Sequence, residues 1–491
     1  MAGKLYLVGA GPGDPGLLTL KGKRCLEQAD IVIYDYLANA RLLDYARPDA
    51  ERCLVGKHGG GVRVEQDTIN TLIVDHARSG KIVVQLKGGD PFIFGRGGEE
   101  AEAAHAAGIE RNDIIEATFV GNPVMHHLLL GINPIELGGA PFALATDRAT
   151  TLRASDLGLA LHPGARVFVL PCIAGHVGAD AAGVVLAERP DLSEELTLLV
   201  DVGTNAEIVL GNRHRLLACS SPTGPAFEGA QISCGQRAAP GAIERVRIDP
   251  ETLEPRFKVI GCDLWSDDPQ FADATRRTGI TGVCGSGIIE ALAEMFLAGI
   301  ILRDGTIDGD LAERSPRIRQ NGPTFAYLLH EGAVTITITQ NDVRAIQLAK
   351  AALYAGTRLL MDHLGVDAVD RIRLAGAFGS HIDVKYAMGL GMIPDCDLSQ
   401  VSSAGNAAGT GARIARLDQS SRRTIEELVR RVEKIETAIE PKFQAHFVAA
   451  MGIPHSTAPS PNLRKAVQLP QPKAAAPRAG ARTRRPPGTR P

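Results

Sequence analysis

The feature that most constrains the fold is a regular alternation of short apolar runs and helical stretches along residues 1–109. Three of the apolar runs begin at Lys4, Asp30 and Lys81, and each ends in glycine or aspartate. Strands that alternate with helices predict a parallel α/β sheet, whose ligands bind at the carboxyl ends of the strands. We therefore expect a ligand site where these ends meet, at Gly9 to Gly13, Asp35, and Gly88 to Asp90.

Five motifs in this segment carry a family resemblance. They are VGAGPGDPGLLTLKG, IVIYDYL, VGKHGG, QDTIN and LKGGDPFIFGRGGEEA. In this order, from about Leu5 to Ile109, they resemble the N-terminal half of uroporphyrinogen-III C-methyltransferase, a member of the tetrapyrrole methylase family. The first motif lacks the GxGxxG spacing of a dinucleotide fingerprint, so the resemblance depends on the whole set. The second half of that family has no counterpart after Ile109.

The resemblance implies a site for S-adenosylmethionine and for uroporphyrinogen III. The residues that it implies for the cofactor are Pro12, Gly88, Gly89, Asp90 and Ile93. It also implies that Asp35 accepts a proton and Lys57 donates one while C2 and C7 of the tetrapyrrole are methylated. Glycine lets the backbone approach a cofactor closely, and a carboxylate can remove a proton from a reacting carbon. The alternative is that Asp35 only ends a strand and Lys57 lies in a solvated loop.

A second group of long motifs fills the chain from about Asp113 to Pro454. They are FVGNPVMHHLLLGINP, LPCIAGHVGADAAG, LLVDVGTNAEIVLGN, SPTGPAFEGAQISCGQRAAPGAIE, GVCGSGIIEAL, ITITQNDVRAIQLAKAALYAG, RLAGAFGSHID and SAGNAAGTGARIA. Together they resemble the C-terminal ATP-binding region of reductive activators of corrinoid proteins. These activators belong to the superfamily of actin, sugar kinases and heat-shock ATPases, so the resemblance implies an actin-like, RNase H-like α/β fold that binds ATP.

The segment TLLVDVGTNAEIVLG predicts a β-hairpin with DVGTN at its turn. The resemblance implies that Gly203, Thr204 and Asn205 donate hydrogen bonds to a phosphate of ATP, and that Asp201 holds Mg²⁺ through water. A bare hairpin turn of the same composition is the alternative. Glu228 follows in SPTGPAFEG, and we expect it near the nucleotide, where it would position water or Mg²⁺.

Further small-residue clusters are predicted at strand ends and helix starts. GVCGSG precedes an apolar helical stretch, whose N-terminus can face an anion. LAGAFG and AGNAAGTG follow the same pattern nearer the C-terminus. The resemblance implies that four of their glycines pack under the adenine and ribose of ATP: Gly376, Gly379, Gly405 and Gly409.

Cysteine and histidine usage restricts the metal chemistry. The eight cysteines are widely spread with no CxxC pair, which disfavours a disulfide framework, a zinc ribbon and an iron–sulfur cluster in this chain. Full-length activators carry an N-terminal [2Fe–2S] domain, so an activator of this type would need a separate electron donor. His126 and His127 invite a metal or corrinoid-ligand interpretation. Adjacent helical residues point about 100° apart, however, and we favour a structural role for both.

The near-neutral net charge of −3 combines two unequal parts. Residues 456–491 hold eight Lys or Arg, eight Pro and no acid, which leaves −11 on residues 1–455. Such a Pro-rich, apolar-poor tail predicts disorder. No apolar run approaches the ~18 residues of a membrane span, and the N-terminus does not read as a signal peptide. We therefore expect a cytoplasmic protein with no membrane or specific nucleic-acid partner, and a homodimer is compatible with the sequence.

The sequence predicts three parts. They are a tetrapyrrole-methylase half-domain over residues 1–109, a corrinoid-activator-like ATP-binding region over 110–455 and a disordered tail over 456–491. The leading functional hypothesis is an ATP-binding activator that acts on a corrinoid protein and is fused to a partial methyltransferase. The first alternative is a uroporphyrinogen-III C-methyltransferase of sirohaem or cobalamin biosynthesis, and the second is an inactive gene-fusion mosaic.

Overall fold

A computed structural model of the chain describes six ranges: 4–9, 20–34, 40–55, 66–87, 114–379 and 382–470. None of the helices in these ranges is both long and apolar enough to cross a bilayer.

The N-terminal part is a parallel sheet with helices on both faces. Its elements are β1 (Lys4–Gly9), α1 (Leu20–Gln28), β2 (Ile31–Tyr34), β3 (Glu51–Leu54), α2 (Gln66–Arg78) and β4 (Ile82–Lys87). The strands lie in the order β1-β4-β2-β3 and all pairs are parallel. Leu26 and Val32 are buried on the α1 side, and Ile33 and Ile73 are buried on the α2 side. The predicted parallel α/β sheet is confirmed.

The middle part follows from residue 114. It contains β5 (Glu116–Phe119), α3 (Pro123–Leu129), β6 (Thr150–Arg153), β7 (Arg166–Val169) and α4 (Ala179–Glu188). In this small sheet β7 lies between β5, to which it is parallel, and β6, to which it is antiparallel.

The C-terminal part begins with three strands and continues into an inserted subdomain. Its first elements are β8 (Thr197–Val202), β9 (Ala206–Gly211), β10 (Leu216–Ser221), β11 (Ala242–Ile248), β12 (Pro255–Val259), α5 (Phe271–Ala274), β13 (Gly282–Val283), α6 (Gly285–Leu297), β14 (Ile318–Asn321), β15 (Thr324–His330), β16 (Ile336–Thr339) and α7 (Gln340–Leu364). The remaining elements are β17 (Arg371–Ala375), α8 (Gly376–Gly379), α9 (Val384–Leu390), β18 (Val401–Gly405), α10 (Ala407–Leu417), α11 (Gln419–Arg431), β19 (Val432–Lys434), α12 (Phe443–Ala450) and α13 (Pro461–Ala466).

A six-stranded sheet organises this part, in the order β18-β17-β8-β9-β10-β19. Strands β8, β9 and β10 form successive antiparallel hairpins, whereas β17 and β18 run parallel to β8. Alternate residues of β8 enter different cores, because side chains alternate between the two faces of a sheet. Leu198 and Val200 belong to a core shared with α7, and Leu199 belongs to one shared with α4, α10 and α11. The predicted hairpin around DVGTN is thereby confirmed.

Helices α4 and α10 cross at two glycines. A Cβ on Gly411 would lie 2.0 Å from the carbonyl oxygen of Gly183, so no larger residue fits without a shift of one helix. This close approach holds the first turn of α4 beside the sheet.

The tail departs from its prediction over its first 15 residues. Residues 456–470 are folded, and α13 buries Leu463 completely. The carboxylate of Asp395 accepts hydrogen bonds from the backbone N–H groups of Asn462 and Leu463, both at 2.9 Å. The prediction of disorder from residue 456 is therefore wrong for this stretch. Residues 471–491 lie outside the described ranges.

A buried lysine joins α7 to the segment after α12. Lys350 is 1% exposed, and its ammonium group donates to the carbonyl oxygens of Gly452 and Pro454. Burial lowers the pKa of Lys350 to about 7. The unfolded chain therefore binds this proton more tightly between pH 7 and pH 10.5, the ordinary lysine value. Stability contributed by the site must rise with pH across that window.

We expect Lys350→Met to remove this pH dependence. The free energy of unfolding of the natural protein, minus that of the variant, should increase from pH 7 to pH 10 in urea denaturation. Lys442→Met changes an exposed lysine and should leave the slope unchanged. Equal slopes for the natural protein and Lys350→Met would show that Lys350 does not titrate in this window.

Candidate nucleotide site

The turn between β8 and β9 forms the centre of the site. The backbone N–H of Gly203 donates to the carbonyl oxygen of Asn205 at 2.9 Å, which closes the turn. Thr204 and Asn205 are exposed there, and Asp201 lies at the end of β8, one pair below the last residues of the hairpin. The four residues predicted from DVGTN are therefore together at one edge of the sheet.

The segment after β10 braces this turn. The hydroxyl of Thr223 lies 2.9 Å from the carbonyl oxygen of Gly203 and 3.0 Å from that of Thr204. The N–H of Gly224 donates to the same Thr204 carbonyl at 2.8 Å. Gly224 has φ of +69°, in the left-handed region that glycine adopts without strain. These contacts fix the turn before any ligand binds.

Glu228 is tied to the rim of the turn. Its carboxylate accepts a hydrogen bond from the Thr204 hydroxyl at 3.0 Å, and the residue is exposed. Glu228 therefore lies beside the β8–β9 turn, where we expected it from the SPTGPAFEG motif. The role in positioning water or Mg²⁺ stays a prediction.

Three carboxylates converge beneath the turn, which we call the carboxylate cluster: Asp180, Asp201 and Glu207. Glu207 lies opposite Asp201 in the β8–β9 register, and Asp180 begins α4. Burial, together with the charge of Asp180, raises the pKa of Asp201 to about 7. Burial also raises the pKa of Asp180, and burial with repulsion by Asp180 and Asp201 raises that of Glu207.

The cluster suits a hard divalent cation. Carboxylate oxygens are the ligands that Mg²⁺ prefers, and a cation would relieve the repulsion that raises these pKa values. A Cβ on Gly376 would lie 2.5 Å from Oδ1 of Asp201, so the absence of a side chain at Gly376 leaves this oxygen room. Gly376 has φ of +84°, which also favours glycine. The space at Oδ1 of Asp201 therefore fits a contact with Mg²⁺ through water, whereas the three carboxylates are not arranged as a direct set of metal ligands.

Sequence reasoning missed Asp180 and Glu207. Glu207 was accessible in principle, because a three-residue turn at 203–205 places it directly across the hairpin from Asp201. Asp180 has no local signal beyond its place in the GAD sequence at a helix start. Its approach to Asp201 depends on how α4 packs against the sheet.

The predicted adenine and ribose glycines lie at the ends of the two neighbouring strands. Ala375, at the end of β17, pairs with both Asp201 and Gly405, so α8 and α10 begin at the same sheet edge as the turn at residues 203–205. Parallel strands that end together form the usual ligand edge of an α/β sheet. Gly376 and Gly405 are therefore placed with Asp201.

The other two glycines of that prediction serve internal packing in the structure. A Cβ on Gly379 would meet the carbonyl carbon of Leu374 at 2.9 Å. The N–H of Gly409 donates to the Asn406 side chain at 2.9 Å, which caps α10. Contact of Gly379 and Gly409 with a nucleotide stays a prediction.

The histidine pair lies inside α3. Both rings are buried, and Nε2 of His127 accepts a hydrogen bond from the N–H of Ala145 at 3.0 Å. Across the described ranges, no group of three or more His, Cys, Asp or Glu side chains is arranged to hold a metal ion. Nδ1 and Nε2 of His126 and Nδ1 of His127 are buried with no hydrogen-bond partner among the described residues, so the structural role that we favoured stays a prediction.

The residues predicted for methyl transfer lie outside the described ranges. They are Pro12, Asp35, Lys57, Gly88, Gly89, Asp90 and Ile93.

Comparison with known families identifies three consecutive regions. Residues 4–116 match the tetrapyrrole (corrin/porphyrin) methylases, residues 100–192 match the RACo middle region, and residues 195–464 match the C-terminal domain of RACo, the ASKHA domain. The predicted boundary near residue 110 falls where the first two matches overlap. The second and third matches divide the segment predicted as one ATP-binding region, residues 110–455, into a middle region that ends at residue 192 and an ASKHA domain that begins at residue 195.

Individual proteins agree with this division. The corrinoid activation enzyme RamQ of Eubacterium limosum is 36% identical over 349 residues, 69% of this chain and 56% of that protein. The uroporphyrinogen-III C-methyltransferase of Priestia megaterium is 51% identical over 131 residues, 25% of this chain and 55% of that enzyme.

A solved structure agrees as well. A reductive activator for a corrinoid, iron–sulfur protein shares 31% identity and a TM-score of 0.63 over 80% of this chain and 58% of its own. The chain thus spans little more than half the length of the relatives it matches. Because the ASKHA match covers more than half of the sequence and is joined to a methylase segment, the chain belongs to the family of RACo-type ASKHA domain proteins.

Proposed function

We propose that this chain binds Mg·ATP at the phosphate turn and acts as an ATP-dependent activator of a corrinoid protein. The observation that carries the proposal is the meeting of the braced turn at Gly203–Asn205 with the carboxylate cluster, at the ends of β8, β17 and β18. The family match and the activator relatives support the same assignment.

In this proposal each group has a defined task. The backbone N–H groups of Thr204 and Asn205 and the Asn205 side chain bind phosphate oxygens, as backbone nests do, whereas the Gly203 N–H donates within the turn to the Asn205 carbonyl oxygen. Asp201 would hold Mg²⁺ through water, the negative charge of Asp180 and Glu207 would attract the cation, and the cation would neutralise phosphate charge. The glycines at 376 and 405 leave space for the nucleotide at the strand ends.

ATP would act by favouring one arrangement of the protein and its partner. Reduction of cobalt from the +2 to the +1 state is uphill for ordinary donors. Nucleotide binding can shift such an equilibrium only by the difference in its affinity for the two arrangements. The electron comes from a separate donor, because the eight cysteines of this chain are widely spaced.

The direct test is a cobalt reduction assay. A corrinoid iron–sulfur protein in the Co(II) state is mixed with titanium(III) citrate, which supplies one electron per cobalt, and Co(I) is followed by its absorbance. We expect the intact chain with Mg·ATP to increase the Co(I) yield, and Asp201→Asn to remove the increase. Yields that are equal with and without ATP would contradict the activator function.

A second function, methyl transfer to uroporphyrinogen III, is favoured by the 51% identity of the N-terminal segment to a methyltransferase. We propose S-adenosylmethionine as its cofactor, held through Asp90 and neighbouring residues. Calorimetric titration of the intact chain should then show binding that Asp90→Ala weakens about tenfold or more, the usual loss for one charge-assisted contact. A chain that gives no heat with S-adenosylmethionine, while it binds ATP, would leave the activator function alone.

A further inference from the structure

An exposed group of arginines lies where α10 turns into α11. Arg416 and Leu417 end α10, and Arg423 lies one turn into α11. Arg416 and Arg423 are exposed, and Leu417 is 83% exposed, the highest value among the exposed large apolar side chains of the described ranges. Single exposed apolar side chains are common on protein surfaces, so Leu417 is informative only together with the arginines of the same turn.

Arg422 ties this turn to the middle sheet. Its guanidinium donates to the carboxylate of Glu116 on β5 at 2.5 Å and to the carbonyl oxygen of Ala415 at 2.7 Å. The same group lies 4.6 Å from the centre of the Phe168 ring on β7. Because Arg422 is held by three elements, the α10–α11 turn has a defined position against β5 and β7.

Two further arginines continue the positive surface across this sheet. Arg153 on β6 and Arg166 on β7 are directly opposite each other, so both side chains are on the same face. Glu116 is the partner of Arg166 on β5. Like charges in opposite positions are unfavourable, so this pair lowers stability. Two acids lie beside it: Glu116 next to Arg166, and Asp156, whose carboxylate accepts a hydrogen bond from the backbone N–H of Arg153 at 3.2 Å.

Neutralising partners are scarce at this surface. Within the described part of the chain, none of Arg153, Arg166, Arg416 and Arg423 takes part in an ion pair. Asp418, the acid within the turn, accepts hydrogen bonds from Ser420 and Ser421, which lower its pKa to about 2. We call the surface the arginine corner; it consists of Arg153, Arg166, Arg416, Leu417, Arg422 and Arg423.

We propose that the arginine corner docks the acidic face of a partner protein. The inference rests on the proposed function in one respect, since it identifies that partner as the corrinoid protein. Arginine is enriched at protein interfaces and in their hot spots, and cations without an ion pair steer an acidic partner. Leu417 with Asp418 next to it in the turn suits a protein surface better than a phosphate backbone, which the Asp418 carboxylate would repel.

The test measures binding of the intact chain to a corrinoid iron–sulfur protein by biolayer interferometry in the Co(II) state. We expect Arg416→Glu combined with Arg423→Glu to weaken the Kd at least tenfold, chiefly through slower association, with a smaller salt dependence than the natural protein. Leu417→Ala should mainly speed dissociation. Arg277→Glu combined with Arg344→Glu makes the same charge change at two other exposed arginines and should leave the Kd within twofold.

The outcomes separate the surface from the function. If the natural chain binds the corrinoid protein and the Arg416/Arg423 variant binds equally well, the arginine corner is not the docking surface, and the proposed activator function is unaffected. If the natural chain binds Mg·ATP but not the corrinoid protein, the proposal that the corrinoid protein docks here is overturned. Equal losses in both double variants would show a general charge effect and overturn the proposal. Tighter binding to a 20-base-pair DNA duplex, lost in the Arg416/Arg423 variant, would overturn it in favour of nucleic acid.

Discussion

Asp201→Asn is expected to abolish Mg·ATP binding and to stabilise the nucleotide-free protein above pH 7. The pKa of Asp201 is raised to about 7 in the folded chain, from an ordinary value of 3.8. The folded state therefore binds the proton more tightly between these values, and stability from this group is lost as pH rises through that window. Three pKa units correspond to about 4 kcal/mol at most, and we expect the variant to recover about 1–3 kcal/mol.

Urea denaturation at pH 5 and pH 8 measures this effect. The stabilisation by Asp201→Asn should be present at pH 8 and small at pH 5, where the natural aspartate already holds its proton. Glu313→Gln removes an exposed acid and should change neither stability nor nucleotide affinity. A variant that retains nucleotide affinity would show that Asp201 does not hold the cation.

Gly411→Ala is expected to have the largest effect on stability, a loss of about 2–4 kcal/mol. The added Cβ would lie 2.0 Å from the backbone oxygen of Gly183, so α4 and α10 must separate. Because α4 carries Asp180, the separation should also weaken Mg·ATP binding in the protein that remains folded. Thermal unfolding followed by circular dichroism, with calorimetry below the transition, measures both effects.

Gly389→Ala is the matched control. Gly389 also lies within a helix, α9, yet a Cβ there meets nothing within 4 Å. Alanine should be neutral or stabilising by up to about 1 kcal/mol, because it reduces the freedom of the unfolded chain. Similar destabilisation by both substitutions would show that the loss of stability does not depend on contact between the helices, and would contradict the tight crossing at Gly183 and Gly411.

The sequence predicted those strands and turns whose formation depends on neighbouring residues alone. The DVGTN hairpin follows from two apolar runs on either side of a short turn, and the strand-end glycines follow from turns that only small residues allow. Strand β3 was missed because Glu51–Leu54 is four residues long and half charged. The tail was read from composition over 36 residues, which hid the short helix around Leu463.

The sequence predicted the part of the site that is formed by neighbouring residues, and it missed the part that depends on tertiary packing. Asp201 and the turn residues are neighbours in sequence, and their chemistry is visible there. Asp180 reaches the cluster only because α4 packs against β8 and crosses α10 at Gly183, a tertiary contact between residues far apart in the chain. Single-sequence periodicity contains no information about that crossing.

The central claim is that the carboxylate cluster and the braced turn together bind Mg·ATP. Isothermal titration calorimetry of the intact chain with ATP at pH 7, in two buffers of different ionisation enthalpy, tests it most directly. We predict one site per chain that requires Mg²⁺ and releases protons on binding, because the cation favours the ionised form of Asp201, whose pKa is raised to about 7 in the free protein. Binding that is equally tight without Mg²⁺, or that releases no proton, would contradict the account.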